Sequence, residues 1–173
     1  MDKEYRDLIM EVLEQFDGEN GGGFLMTGSP VNPMAVGWLQ VGTIWEKRVL
    51  SILVRTSRYS FPALMKDGRF TISVPAKGTL EKELVLCGTY SGRDHDKMAE
   101  LGLSTVPSRA GGVPGVKGCA IQIECKTLYT TEVMEPERID ESVKEFYDVN
   151  KQAGDKGDPH IIFVAEIVDI YRA

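Results

Sequence analysis

A mainly β fold, an antiparallel barrel with short peripheral helices, is what three features of the sequence predict. Apolar and β-branched runs of strand length recur through the chain, at residues 24–27, 49–54, 69–75, 119–129 and 160–168. Helical periodicity is confined to short, scattered segments between them. So many β segments would expose unpaired edges in an open sheet, and closure into a barrel removes those edges.

Tyr5, Leu8, Ile9, Val12, Leu13 and Phe16 recur at helical spacing in a charged stretch, which predicts an amphipathic helix over residues 3–16. Gly18 and the Gly21-Gly22-Gly23 run end it. Strand 24–27 reaches a turn at Gly28-Ser29-Pro30, and residues 32–41 read as extended. Within them, Gly37 beside Trp38 would let main-chain N–H groups approach a flat ligand, although a glycine in a strand more often marks a bulge or a barrel bend. The β-branched run 49–54 reads as a buried strand, followed by a polar turn and a short helix that starts at Ser60, carries Pro62 in its first turn and stops at Gly68. Strand 69–75 alternates and is stopped by its proline, and residues 79–86 read as helical. A loop from Cys87 onward caps the next helix with Asp94, and Gly102 ends it. Residues 103–118, rich in glycine and proline, read as an ordered surface loop. In 119–129 the odd positions are mainly apolar or small while Gln122, Glu124 and Lys126 point the other way, so one face is expected in the core and the other in water. Ile139, Val143, Phe146 and Tyr147 mark a late helix, 154–159 a polar loop and 160–168 the final strand.

The 173 residues suit one domain spanning 1–173, long enough to bury a core without staples. With 20 basic against 26 acidic residues the net charge is -6, which excludes the electrostatic footprint of a general nucleic-acid binder. The N-terminus is too charged for a signal peptide and no apolar run is long enough to span a bilayer, so a cytoplasmic protein without membrane contact is expected. Three cysteines, Cys87, Cys119 and Cys125, are odd in number, and the last two, if in one strand, lie roughly 20 Å apart. Reduced thiols follow. With only His95 and His160 and no CxxC pair, no metal site is expected. His95 reads as a surface residue and His160 as a satisfied structural one, while Trp38 and Trp45 are by residue type core side chains before they are cofactor contacts. No catalytic acid or nucleophile stands out.

The turn Arg55-Thr56-Ser57-Arg58-Tyr59-Ser60 is the chemically distinctive stretch. It gathers two guanidinium groups and three hydroxyls where the free N–H groups of a helix start point outward, and an anion fits there. The alternative is a capped surface helix with solvated arginines. Arg93 and Lys97 flank the first turn of a later helix, the wrong end for cations unless an anion lies nearby or Asp94 and Asp96 compensate.

Three blocks together carry a resemblance. Residues 32–38 resemble an Asn-x-Met-Thr-x-x-Trp segment, Val54-Arg55-Thr56-Ser57-Arg58-Tyr59-Ser60 resembles a phosphate loop, and Ser91-Gly92-Arg93-Asp94-His95-Asp96-Lys97 resembles a second binding loop. With the closing run 160–167, they make the chain similar, over about residues 23–171, to the flavin reductase-like family of FMN-binding split barrels, which includes flavoredoxin. The resemblance implies an FMN-binding split β-barrel in which Arg55, Ser57 and Ser60 bind the FMN phosphate and Arg58, Arg93 and Lys97 add charge. Thr56, Ser91 and Gly92 belong to the same two loops. It also implies that backbone at Ala35, Val36, Gly37 and Trp38 lines the isoalloxazine ring. Ala35 stands where the family usually has Thr, so a hydroxyl contact to the flavin is lost, and Ala165 stands where it usually has Gly. The implied function is to pass electrons from a reduced nicotinamide (NADH or NADPH) or a protein donor through FMN to a flavin or protein acceptor, in a homodimer. A non-catalytic FMN-binding electron carrier is the second reading, and a related split barrel holding haem or pyridoxal phosphate the third.

Overall fold

The computed structural model describes residues 2–18, 21–148 and 158–173. Helix α1 (Lys3–Phe16) leads into strands β1 (Gly23–Thr27), β2 (Asn32–Val36), β3 (Leu39–Ile44) and β4 (Lys47–Arg55). Then come α2 (Phe61–Asp67), β5 (Arg69–Val74), α3 (Glu81–Thr89), α4 (Lys97–Glu100), the two-residue strands β6 (Thr105–Val106) and β7 (Gly115–Val116), and β8 (Ile121–Thr130). A 3-10 turn at Pro136–Arg138, α5 (Glu141–Asp148) and the long β9 (His160–Arg172) complete the chain.

Seven strands form one antiparallel sheet in the order β2-β1-β5-β8-β9-β4-β3, and β6 pairs with β7 apart from it. The stretch read as one extended segment over 32–41 is therefore two strands on opposite edges, broken at Gly37-Trp38. Two intervening residues can bridge only about 11 Å. The two edges must accordingly meet at that corner, so the sheet curls into a barrel split between β2 and β3.

Side-chain alternation fills the barrel and then covers it. Leu25, Ile52, Val54, Phe70, Ile72, Ile123 and Phe163 pack inside, with the apolar stripe of α1 (Tyr5, Leu8, Ile9, Val12) closing one side. Phe24 and Met26, pointing the other way from β1, pack with Leu84 and Cys87 of α3 and with Val116 and Cys119. Asp2 caps α1 by accepting from the Tyr5 amide at 2.8 Å. Gly68, in the left-handed conformation at φ 63°, ends α2 as expected.

Four sequence expectations are corrected. The later short helix is capped by Asp96, whose side chain accepts from the Ala99 amide at 3.1 Å, and not by Asp94. Gln122 and Glu124 are not wet: at 0% and 3% exposure they lie under the 103–118 segment, which hydrogen-bonds to both. Cys119 lies just before β8 and not within it, although all three cysteines are free and buried. Trp38 and Trp45 are not core residues, being 43% and 60% exposed. Of the late polar loop, residues 154–157 lie outside the described residues. No described helix is long and apolar enough to cross a membrane, and no described cluster of His, Cys, Asp and Glu could hold a metal ion.

Candidate functional site

The turn after β4 and the loop after α3 meet on one side of the barrel although 36 residues separate their joining atoms: Arg93 Nη2 donates to the Ser57 carbonyl at 2.9 Å. The turn is tight, with the Arg58 amide donating to Arg55 O and the Phe61 amide to Arg58 O. Ser60 precedes α2 but its hydroxyl does not cap that helix; it is 1% exposed and accepts from Asn32 Nδ2 at 2.9 Å. Gly92 lets the loops close. A Cβ there would lie 2.3 Å from Tyr59 Cδ1 and 2.5 Å from Asn32 Oδ1, so only a residue without one brings this loop against β2 and the turn.

Between the loops lies a cavity of about 250 Å³, lined by Ser57, Arg58, Ser60, Ser91, Gly92, Arg93 and Lys97 together with Asn32, Met34, Tyr59 and residues 87–90. Three of these side chains are cationic and none is acidic. Lys97 is 3% exposed, and its Nζ donates to the Cys87 carbonyl at 3.4 Å. Burial, with Arg58 adding to it, holds the ammonium below the usual lysine pKa, and an anion in the cavity would favour its charged form. The donor set fits an anionic group such as a phosphate.

A second cleft, of about 210 Å³, adjoins the first through the shared residues Met34, Arg58 and Gly88. Ala35, Val36, Gly37 and Trp38 line it with Leu53, Val54, Arg55 and His160. Ala35 faces Gly88 of α3 closely enough that a Cβ on Gly88 would come to 3.2 Å from Ala35 Cβ. Gly37 is open, its nearest neighbour for a Cβ being Gly21 O at 3.7 Å. Backbone is thus accessible along one wall of this cleft. An apolar groove of about 480 Å³ between β2 and α3 adjoins this cleft through the shared residues Ala35, Val36, Gly37 and Gly88.

Arg55 lines the second cleft and not the basic cavity. It is 8% exposed, and its guanidinium donates to the carbonyls of Asp158 at 2.7 Å and Phe146 at 3.1 Å. Thr56 is exposed and lines neither space. His160 pairs through Nδ1 with the Tyr147 hydroxyl at 3.0 Å, and its ring lies 5.5 Å from that of Trp38. Burial first, then the charges of Arg55 and Arg58, push its pKa down to about 4, so the imidazole is neutral. His95 stacks on Tyr90 at 4.3 Å and pairs with Glu100, outside both spaces.

Sequence reasoning passed over Gly88, which carried no motif, and Asp158, whose carboxylate meets the Ser57 amide and hydroxyl. Asn32 lay inside a recognised block without an assigned role.

Comparison with known proteins gives the same architecture. A protein of Archaeoglobus fulgidus is 31% identical over 101 residues, 58% of this chain and 56% of that one. One from Pyrococcus abyssi is 29% identical over 105 residues, 61% and 59% of the two chains. The matched region thus spans under two thirds of these relatives, both described only as uncharacterized. Among solved structures, flavoredoxin from Methanosarcina acetivorans superposes with a TM-score of 0.66 at 21% identity, covering 88% of this chain and 68% of that one. Flavoredoxin of Desulfovibrio vulgaris gives 0.65 at 23%, covering 88% and 69%. An FMN-binding protein from Thermus thermophilus gives 0.62 at 19%, covering 87% and 68%. At these identities the structures share the fold. The model of the flavin reductase like domain matches residues 24–173, nearly the whole chain, and the protein belongs to that family.

Proposed function

We propose that this protein binds FMN and acts as an oxidoreductase of the flavin reductase type. The observation that carries the reading is the adjoining pair of spaces, one basic and hydroxyl-rich, the other walled by Ala35–Trp38 and by apolar side chains together with Arg55, Arg58 and His160. The FMN phosphate belongs in the first, held by Ser57, Ser60, Ser91, Arg58, Arg93 and Lys97, and the isoalloxazine lies along Ala35–Trp38 in the second. The solved relatives named as flavoredoxins and as an FMN-binding protein support the choice of cofactor.

Bound FMN would supply the hydride and electron chemistry. The chain's own residues bind, orient and tune. Neutral His160 places no charge beside the ring, so the charge lining that cleft comes from Arg58 and from Arg55, which donates to two backbone carbonyls. Ala35 offers no hydroxyl to the ring, so redox tuning there rests on main-chain groups. Arg55 acts as a positioning residue that fixes the start of β9 beside α5.

NADH or NADPH as donor, a flavin or a protein as acceptor, and a homodimer complete the proposal. Exposed Trp38, Ile44 and Trp45 give the β3 edge apolar surface that a second copy would cover. Light scattering of flavin-loaded protein should give the mass of a dimer; a monomer with flavin bound would reject that part. The catalytic part is tested by steady-state oxidation of NADH and NADPH by FMN-loaded protein. Turnover with either supports a reductase, whereas bound FMN with turnover of neither would make the protein an electron carrier.

A further inference from the structure

Among the described residues, the Asp158 carboxylate meets the basic turn at Ser57 without lining the cavity beside it. Asp158 Oδ1 accepts from the Ser57 amide at 3.3 Å, and Oδ2 accepts from the Ser57 hydroxyl. Two donors of one residue converging on two oxygens of one anion is how phosphate oxygens are held. The carboxylate is delivered there by the framework. Arg55 donates to the Asp158 carbonyl at 2.7 Å. Pro159 holds the preceding residue in extended conformation. His160 pairs with Arg55 at the end of the β4–β9 ladder, so the chain two residues earlier has little freedom.

We propose that Asp158 is a built-in competitor for the anion-binding donors of Ser57. A phosphorylated flavin must displace its carboxylate, and Asp158 thereby sets how strongly the site prefers the phosphorylated ligand over the unphosphorylated one. The proposal rests on the FMN reading above. A carboxylate and a phosphate cannot share Ser57, because both are acceptors without a proton to offer and their charges repel. Arg93, already on the Ser57 carbonyl at 2.9 Å, stays beside whichever anion holds the turn.

The test is fluorescence titration of FMN and of riboflavin into the parent, Asp158→Asn, Asp158→Ala, Ser57→Ala and the Ser57→Ala/Asp158→Ala double variant. Asparagine keeps the size and removes the charge, and the backbone bond from Arg55 survives in both Asp158 variants. FMN should tighten by about tenfold in Asp158→Asn and Asp158→Ala, the worth of one charge-assisted contact. Riboflavin should be unchanged. In the Ser57→Ala background the gain from removing Asp158 should shrink, since both changes act on one contact. FMN affinity that is unchanged or weaker without the carboxylate, or equal shifts for both flavins, would overturn the proposal while leaving FMN binding intact. Failure of every protein to bind either flavin would overturn both the FMN reading and this one.

Discussion

The Tyr171 hydroxyl donates to Glu124 Oε1 at 3.1 Å across the β8–β9 ladder, and this pair fastens the 103–118 segment to the barrel. The same carboxylate accepts from the amides of Arg109 at 2.6 Å and Ala110 at 2.8 Å and from the Ser108 hydroxyl, while the Arg109 guanidinium lies 3.6 Å over the Tyr171 ring. Glu124 is 3% exposed, so the negative charge is held in place by four donors and not by water. Replacing it with glutamine puts an NH₂ group against these donors. Glu124→Gln should destabilise the fold by about 2–4 kcal/mol, as expected for losing buried charge-assisted hydrogen bonds. It should also speed proteolysis within 103–118. A denaturation midpoint equal to the parent's would show that the clamp is dispensable.

The same carboxylate makes stability depend on acid. Burial alone would raise its pKa, but the hydrogen bonds from Ser108, Ala110, Arg109 and Tyr171 outweigh burial and hold it below the usual glutamate range. A depressed folded pKa contributes stability that is present above the unfolded value and lost as pH falls through the folded one. Melting temperature should therefore drop below the ordinary carboxylate range in the parent and respond less in Glu124→Gln.

His160 acts in a higher window with the same sign. With its pKa near 4 in the fold, the unfolded chain takes up a proton that the folded one refuses, so stability falls as pH drops from about 6.5 toward 4. Arg55 and Arg58 oppose its protonation, Asp158 favours it, and Tyr147 shares its hydrogen bond. His160→Gln should flatten this slope; parallel melting-temperature curves for parent and variant would assign the acid sensitivity elsewhere.

Most strands were legible because alternation and β-branching survive without knowledge of partners, as in β5 and β9. The split of 32–41 was not, since strand pairing and not residue type sends Asn32–Val36 to one edge and Leu39–Ile44 to the other. Burial of Gln122 and Glu124 was hidden for a related reason: what covers a polar face is a distant segment. Ser57 and Arg93 were legible as candidate anion ligands, but their meeting is a tertiary fact. Asp158 left no trace, because an acidic residue in a polar loop is the commonest surface pattern.

The two arginines of the turn should behave differently. Arg58→Met removes a cation from the basic cavity and should weaken FMN by about one to two decades, at 1.5–3 kcal/mol for a charge-assisted hydrogen bond, while riboflavin is little affected. Arg55→Met removes the donors to Asp158 and Phe146 and should lower the melting temperature and weaken both flavins together. Selective loss of FMN in Arg55→Met would instead place its guanidinium on the phosphate.

Gly92→Ala forces a Cβ to within 2.3 Å of the Tyr59 ring, where backbone or ring must move. Overpacking of this kind costs about 1–3 kcal/mol. The displaced Ser91–Arg93 loop should also loosen FMN more than riboflavin. Parent-like stability in urea would mean that Tyr59 yields freely.

The most direct measurement is competition at the basic cavity: titrate flavin-free protein with FMN and with riboflavin, each with and without inorganic phosphate. FMN should bind more tightly than riboflavin, and phosphate should weaken FMN while leaving riboflavin alone. Equal affinity for the two flavins, indifferent to phosphate, would contradict the assignment of Ser57, Arg58, Arg93 and Lys97 to the phosphate.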